Sequence, residues 1–220
     1  MVTQFGPLRR GAAASLLAAL AVIVTGCTSS SDDADPTFTP PTSTYKPPTS
    51  THSTSSAPTA TPPISTGPNV RPGEKPPTFP ASLNRNLPAG ADAYARYWMQ
   101  TLDWGYATTD SSLAKAAFAA SCTDCARFVK GNFDDTRAEG WHFRGGRVGF
   151  LESTLQQPDH HANATSLDDV TVTVGALETL DRAGHVQSRA PAIPQITYRI
   201  WLRWTGARWT VVDWKEAVSK

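Results

Sequence analysis

The chain has 220 residues, a formal net charge of +1, 18 prolines and seven tryptophans. Thirteen of the prolines lie between Pro36 and Pro80, and no tryptophan precedes Trp98, so a low-complexity front half is joined to an aromatic-rich back half. From Ala81 to Lys220 there are 15 Lys/Arg against 15 Asp/Glu, a balance that leaves no electrostatic footprint for nucleic acid.

Met1 to Arg10 carries Arg9 and Arg10 and no acid, and Gly11 to Val24 is uncharged and rich in Ala, Leu and Val. A basic segment, a short apolar run and small residues at the cut describe a secretory signal over residues 1–26. The apolar run is shorter than the roughly 20 residues a spanning helix needs. Val24-Thr25-Gly26-Cys27 resembles the bacterial lipobox. That resemblance implies cleavage before Cys27 and a diacylglycerol thioether, with palmitate-type acylation, on its sulfur. Two or more acyl chains anchor stably where one does not. The expected location is the extracytoplasmic face of the cell membrane.

Residues 27–80 read as a Ser/Thr/Pro-rich disordered linker, with Pro-Pro pairs at 40–41, 47–48, 62–63 and 76–77. Such a segment cannot bury enough apolar surface to offset its conformational entropy. Proline pairs bias it toward polyproline II, which at ~3.1 Å per residue reaches roughly 160 Å. A bare spacer and a glycosylated stalk fit the composition equally well.

Residues 81–220 form the predicted globular domain. Tyr94, Tyr97, Trp98, Leu102 and Tyr106 share one helical face over residues 89–107. A break at Thr108-Thr109-Asp110 precedes a short Ala-rich helix over 112–120, and a third helix is predicted over 122–139. The period then changes to two. Strands are predicted over 147–155, 167–180, 193–205 and 208–218, the last two joined by a tight turn at Gly206-Ala207. In that hairpin Trp204 faces Trp209, Leu202 faces Val211 and Ile200 faces Asp213. One face then carries Ile196, Tyr198, Ile200, Leu202, Trp204, Trp209, Val211 and the lone acid Asp213. The other carries Arg199, Trp201, Arg203, Thr210, Val212 and Trp214, with Arg199 placed to stack on Trp214.

Helices followed by a meander of antiparallel strands argue an α+β fold. The element order resembles the NTF2-like (SnoaL-like) superfamily, which implies N-terminal helices packed on a curved antiparallel sheet of about four strands, shaped as a cone. The segments Tyr94-Ala95-Arg96-Tyr97-Trp98, Thr108-Thr109-Asp110 and Cys122-Thr123-Asp124-Cys125 are also similar to an uncharacterised lipoprotein family of high-GC Gram-positive bacteria. That family has no assigned function to carry over.

Cys122 and Cys125 remain once Cys27 is lipidated, an even pair outside the cell and hence a predicted disulfide. Asp124 between them works against a reactive thiolate. Zinc needs four ligands and there is no second pair, so neither metal nor cofactor is expected. His160-His161 reads as a solvated loop pair. Tyr94, Tyr97, Trp98, Tyr198, Trp204 and Asp213 are the candidate lining of a cone pocket. By analogy with the superfamily, Asp213 is a candidate general base, with a tyrosine as donor to an oxyanion. Three readings follow. The first is a non-enzymatic lipoprotein that binds a small apolar ligand or an envelope protein. The second is an isomerase- or cyclase-type enzyme. The third is a cell-wall interaction module with no pocket.

Overall fold

The structure is a computed structural model that describes residues 64–217, all within one of the two compact units of the chain. The signal segment, Cys27 and most of the linker lie outside the described residues. Four helical segments come first: α1 (Pro88–Thr108), α2 (Ser112–Ala117), α3 (Thr123–Val129) and α4 (Asp135–Ala138). Seven strands follow: β1 (His142–Gly145), β2 (Val148–Gln156), β3 (Ser166–Val174), β4 (Leu177–Leu180), β5 (Val186–Ala190), β6 (Ile193–Trp204) and β7 (Trp209–Glu216). The protein is therefore α+β, as its sequence indicates. The strands make two antiparallel sheets, β2-β3-β6-β7 and β1-β4-β5, where one sheet of about four strands was the expectation.

The second sheet has a simple origin. Gly145 pairs with Leu177 and Val148 with Val174. Between them, Gly146 N–H donates to the Ala176 carbonyl at 2.8 Å and Gly175 N–H to the Arg147 carbonyl at 2.9 Å. The register is unbroken, so β1–β2 and β3–β4 form one long hairpin interrupted at its glycines. Gly145 (φ 76°) has no room for a side chain: a Cβ there would stand 2.1 Å from the Ala176 oxygen. The prediction of one strand over 167–180 runs straight across this break, and β1 and β5 were not predicted.

Pro88 starts α1 at a position where its missing N–H costs nothing. The helix stops at Thr109, whose left-handed φ of 57° lets its N–H reach the Gly105 carbonyl. The predicted third helix is continuous but contains a π-helical turn, Lys130–Asp134. That turn brings Phe133 against Gly105 of α1, so close that a Cβ on Gly105 would meet its ring at 2.5 Å. Trp98, Leu102, Val129 and Phe133 pack on Val170, Val172, Ile200, Leu202 and Val211 of the larger sheet. Burial of each such side chain is worth about 1.5–3 kcal/mol. None of the described helices is long and apolar enough to cross a membrane.

Two expectations are corrected. Residues 64–80 are not linker, because they lie on the domain. Phe79 sits 5.1 Å from Tyr94 and 5.6 Å from Tyr97, and Trp104 Nε1 donates to the Ile64 carbonyl. Asn69 donates to the Tyr106 and Gly145 carbonyls. Arg147 ties the segment down, pairing with Glu74 and Asp103 together and donating to the Asn69 carbonyl. The last hairpin keeps its predicted register through Leu202–Val211 and then shifts: Trp201 pairs with Asp213 and Ile200 with Trp214. The extra residue is a β-bulge, and one residue exchanges the two faces. Trp214 therefore enters the core, 5.7 Å from Trp98 and 4.9 Å from Phe128. Arg199 pairs with Asp169, not with Trp214.

Candidate functional site

The residues expected to line a cone pocket do not converge on an open space. Trp98 is fully buried, edge-on to Phe118 and Trp214. Tyr94 is buried, and its hydroxyl donates to the Ala117 carbonyl at 3.1 Å. Tyr97 is half-buried beside Tyr94 and Phe79. Tyr198 lies 4.9 Å from Trp214, and Trp204 lies edge-on to Trp209 at 5.5 Å. Burial holds the phenols of Tyr94 and Tyr198 up at about 12. They stay protonated, and the Tyr94 donor is already committed. These rings pack the core.

Asp213 lies on the opposite face of the sheet. There a small cluster of Ala164, Leu167, Trp201 and Val212 sits beneath the 161–163 turn. His161 Nε2 meets Asp213 Oδ2 at 2.5 Å, and its ring lies 4.8 Å from Trp201. Trp201 Nε1 donates to Asp159 at 2.7 Å, and Lys215 Nζ lies 4.8 Å over the indole. His160, Ala162 and Asn163 hold left-handed φ values of 60°, 52° and 57°, so these contacts fix a strained turn. Of the adjacent histidines, His161 serves as a packing and hydrogen-bonding residue. Among the described residues no three His, Cys, Asp or Glu side chains group as metal ligands.

Cys122 and Cys125 stand at disulfide distance, Cα to Cα 5.3 Å, and both are buried. Cys122 Sγ also accepts from the Cys125 N–H at the start of α3. The pair staples the entry of that helix and presents no thiol to solvent.

The structure draws attention instead to the cleft between α1 and β2. From α1 come Asp92, Arg96, Met99, Gln100 and Asp103, a stripe spaced three and four apart. From the sheet come Val148, Phe150, Ser153 and Val172. A groove of about 220 Å³ runs between Arg96, Met99, Gln100, Asp103, Val148, Phe150 and Val172. The Arg96 guanidinium lies 4.6 Å over the Phe150 ring. It also bonds Asp92 and donates to Ser153 Oγ at 3.0 Å, and Ser153 donates to Asp92. A wider depression of about 470 Å³ at Glu139, Trp141, Asp181 and Arg182 lies open to solvent and encloses nothing.

Next to this cleft lies Asp168, fully buried on β3 against the Asp92 carboxylate and the Thr154 backbone N–H. Burial first, then the neighbouring Asp92 carboxylate, raises its pKa to about 8, with Arg96 pulling the other way. The sequence expectations passed over Asp168. Its signal was its phase: it shares the period-two face of Val170 and Val172, both buried.

β2 is also an edge strand. The far edge, β7, is covered at Val211 by Phe118 and by the Ala119 N–H at 2.8 Å. Among the described residues no strand lies beyond β2, which displays Phe150, Leu151 and Leu155 at 43%, 50% and 38% exposure.

The family model of DUF6318, a family of unknown function, matches residues 71–215. The chain belongs to that family. No curated protein matches it. Among solved structures, it is similar to the intermembrane space region of the chloroplast protein ARC6. The identity is 12% and the TM-score 0.46, over 61% of this chain and 99% of that one.

Proposed function

We propose that this DUF6318 member is a lipid-anchored extracytoplasmic protein whose domain is an interaction module, docking an extended segment of an envelope protein on the β2 edge. One observation carries the docking reading. The interior is filled by aromatic rings, while three large exposed apolar side chains gather on an edge strand that no other strand pairs among the described residues. Edge strands recruit extended peptides through main-chain hydrogen bonds, and side-chain pockets give the selectivity. Here Phe150 and the groove beside it supply the pocket. The anchoring reading rests on Val24-Thr25-Gly26-Cys27 behind a basic, apolar leader. An NTF2-like ancestry for the α+β domain rests on the order of helices before hairpins and on α1 lying against the larger sheet.

A photo-crosslinking residue at Leu151 of the anchored protein, in intact envelopes, tests the docking. The expected adduct maps to one contiguous segment of another envelope protein. It disappears with Phe150→Asp and does not form from Ala183. An adduct with a second copy of this chain, or equal yields from Leu151 and Ala183, refutes the reading. For the anchor, Cys27→Ala is expected to abolish labelling by a fatty-acid analogue and to release the chain from membranes. Retained labelling places the lipid elsewhere.

A further inference from the structure

The start of α1 meets the sheet through four polar side chains in which two acids face one base. Asp92 and Arg96 belong to α1, Ser153 to β2 and Asp168 to β3. The guanidinium is spent on Asp92 and Ser153, with Arg96 Nη2 3.1 Å from Asp92 Oδ2. Ser153 spends its hydroxyl proton on Asp92 as well. Asp168 is left fully buried, with no base of its own, against the Asp92 carboxylate and the Thr154 backbone N–H. Across the strands it faces Leu155 and Ile200, both apolar. The charged groups that act on it are Asp92 and Arg96, both from α1. Its strand neighbours point to the other face, where Leu167 packs under Trp201 and Asp169 pairs with Arg199. A buried ionised carboxylate without a basic partner is costly, and a protonated one much less so.

We propose that a proton on Asp168 makes this junction an acid-strengthened clasp. Neutral Asp168 lets the first turns of α1 lie on β2 and β3 beside Asp92. Ionised Asp168 sets a second buried anion against Asp92 and favours release of the α1 start and the β2 strand.

The pH sense follows from linkage. In the closed state the Asp168 carboxyl titrates at about 8. Once the segment opens, it titrates near 4, as an exposed aspartate does. Between those values opening sheds a proton, so the opening equilibrium grows by up to about tenfold per pH unit and levels off above pH 8. The ion-paired carboxylates have the opposite sign: Arg147 lowers the Glu74 pKa, so that pairing weakens as acid protonates Glu74. A loosening of segments 88–100 and 148–156 with rising pH therefore belongs to Asp168. The clasp needs no partner protein, so it stands or falls separately from docking at β2.

The test is amide hydrogen exchange of the full-length chain at pH 5, 6, 7 and 8, corrected for intrinsic exchange. Opening of segments 88–100 and 148–156 is expected to rise at least tenfold from pH 5 to pH 7. In Asp168→Asn the rise is expected to shrink below threefold, while 200–216 stays protected. The proposal is overturned if Asp168→Asn keeps the wild-type slope, or if the wild type shows none. Should Asp168→Asn fail to fold, Asp92→Asn decides. Removing the anionic neighbour is expected to make the slope level off below pH 8, and an unchanged slope overturns the clasp.

Discussion

Asp168 shows how a single side chain sets a stability profile. The unfolded chain binds its proton with a pKa near 4, the folded chain with one near 8. Between those values the native state holds a proton that the unfolded state has lost. Its contribution to stability therefore falls as pH rises through that window and levels off above it. Asp168→Asn removes the ionisation and keeps the shape. We expect it to stabilise the chain by about 1–3 kcal/mol at pH 8 and to bring no gain at pH 4. Urea denaturation at the two pH values measures the difference. An equal effect at both would show that the amide changes packing rather than charge. This residue was legible in principle: Leu167 to Val174 alternates, and alternation alone puts Asp168 with the buried valines. Its meaning was not legible, because that depends on Asp92, which lies 76 positions earlier in the chain.

At the scale of elements, strong local periodicity gave correct readings and tertiary geometry overrode the rest. The aromatic stripe of α1 is a helix with Tyr94 and Trp98 buried, and the Gly206-Ala207 turn sets Trp204 against Trp209. The bulge after Val211 has no local signal, since no glycine or proline marks it. It nonetheless carries Asp213 out of the core and Trp214 into it, which dissolves the predicted pocket. The Cys122–Cys125 staple is an element-scale feature whose effect is small because its loop is short. The chain-entropy relation gives about 2 kcal/mol for such a loop. Reductant should lower the unfolding free energy of the wild type by that amount, measured by urea denaturation, and leave a Cys122→Ala/Cys125→Ala chain unchanged. A larger loss would mean that the buried sulfurs matter to packing as well. Arg147 carries more. It holds Glu74 and Asp103 at once, and its removal strands two partly buried acids. Arg147→Met should cost about 2–4 kcal/mol and speed amide exchange in residues 64–80. If exchange there does not change, Arg147 is not what fastens the segment.

At the scale of the molecule, composition proved a poor guide to where the domain begins. Proline runs through Pro80 argue a linker to that point, because proline-rich sequence buries little on its own. Residues 64–80 escape that rule by borrowing a surface: Phe79 completes the cluster of Tyr94 and Tyr97, and Asn69 caps open carbonyls at Tyr106 and Gly145. Proline even helps here, since it leaves less chain entropy to lose when an extended strap docks. Two chain lengths put this to the test. A chain starting at Ala81 gives up the Phe79 contacts and leaves Arg147 without Glu74, a combined loss of about 3–5 kcal/mol. Against a chain starting at Ile64, its unfolding free energy from urea denaturation should be lower by that margin, with a lower midpoint. Equal midpoints would mean that the strap rests on the domain without stabilising it. A deficit of the expected size would make the strap an integral part of the fold, with the domain starting earlier than its proline content suggests.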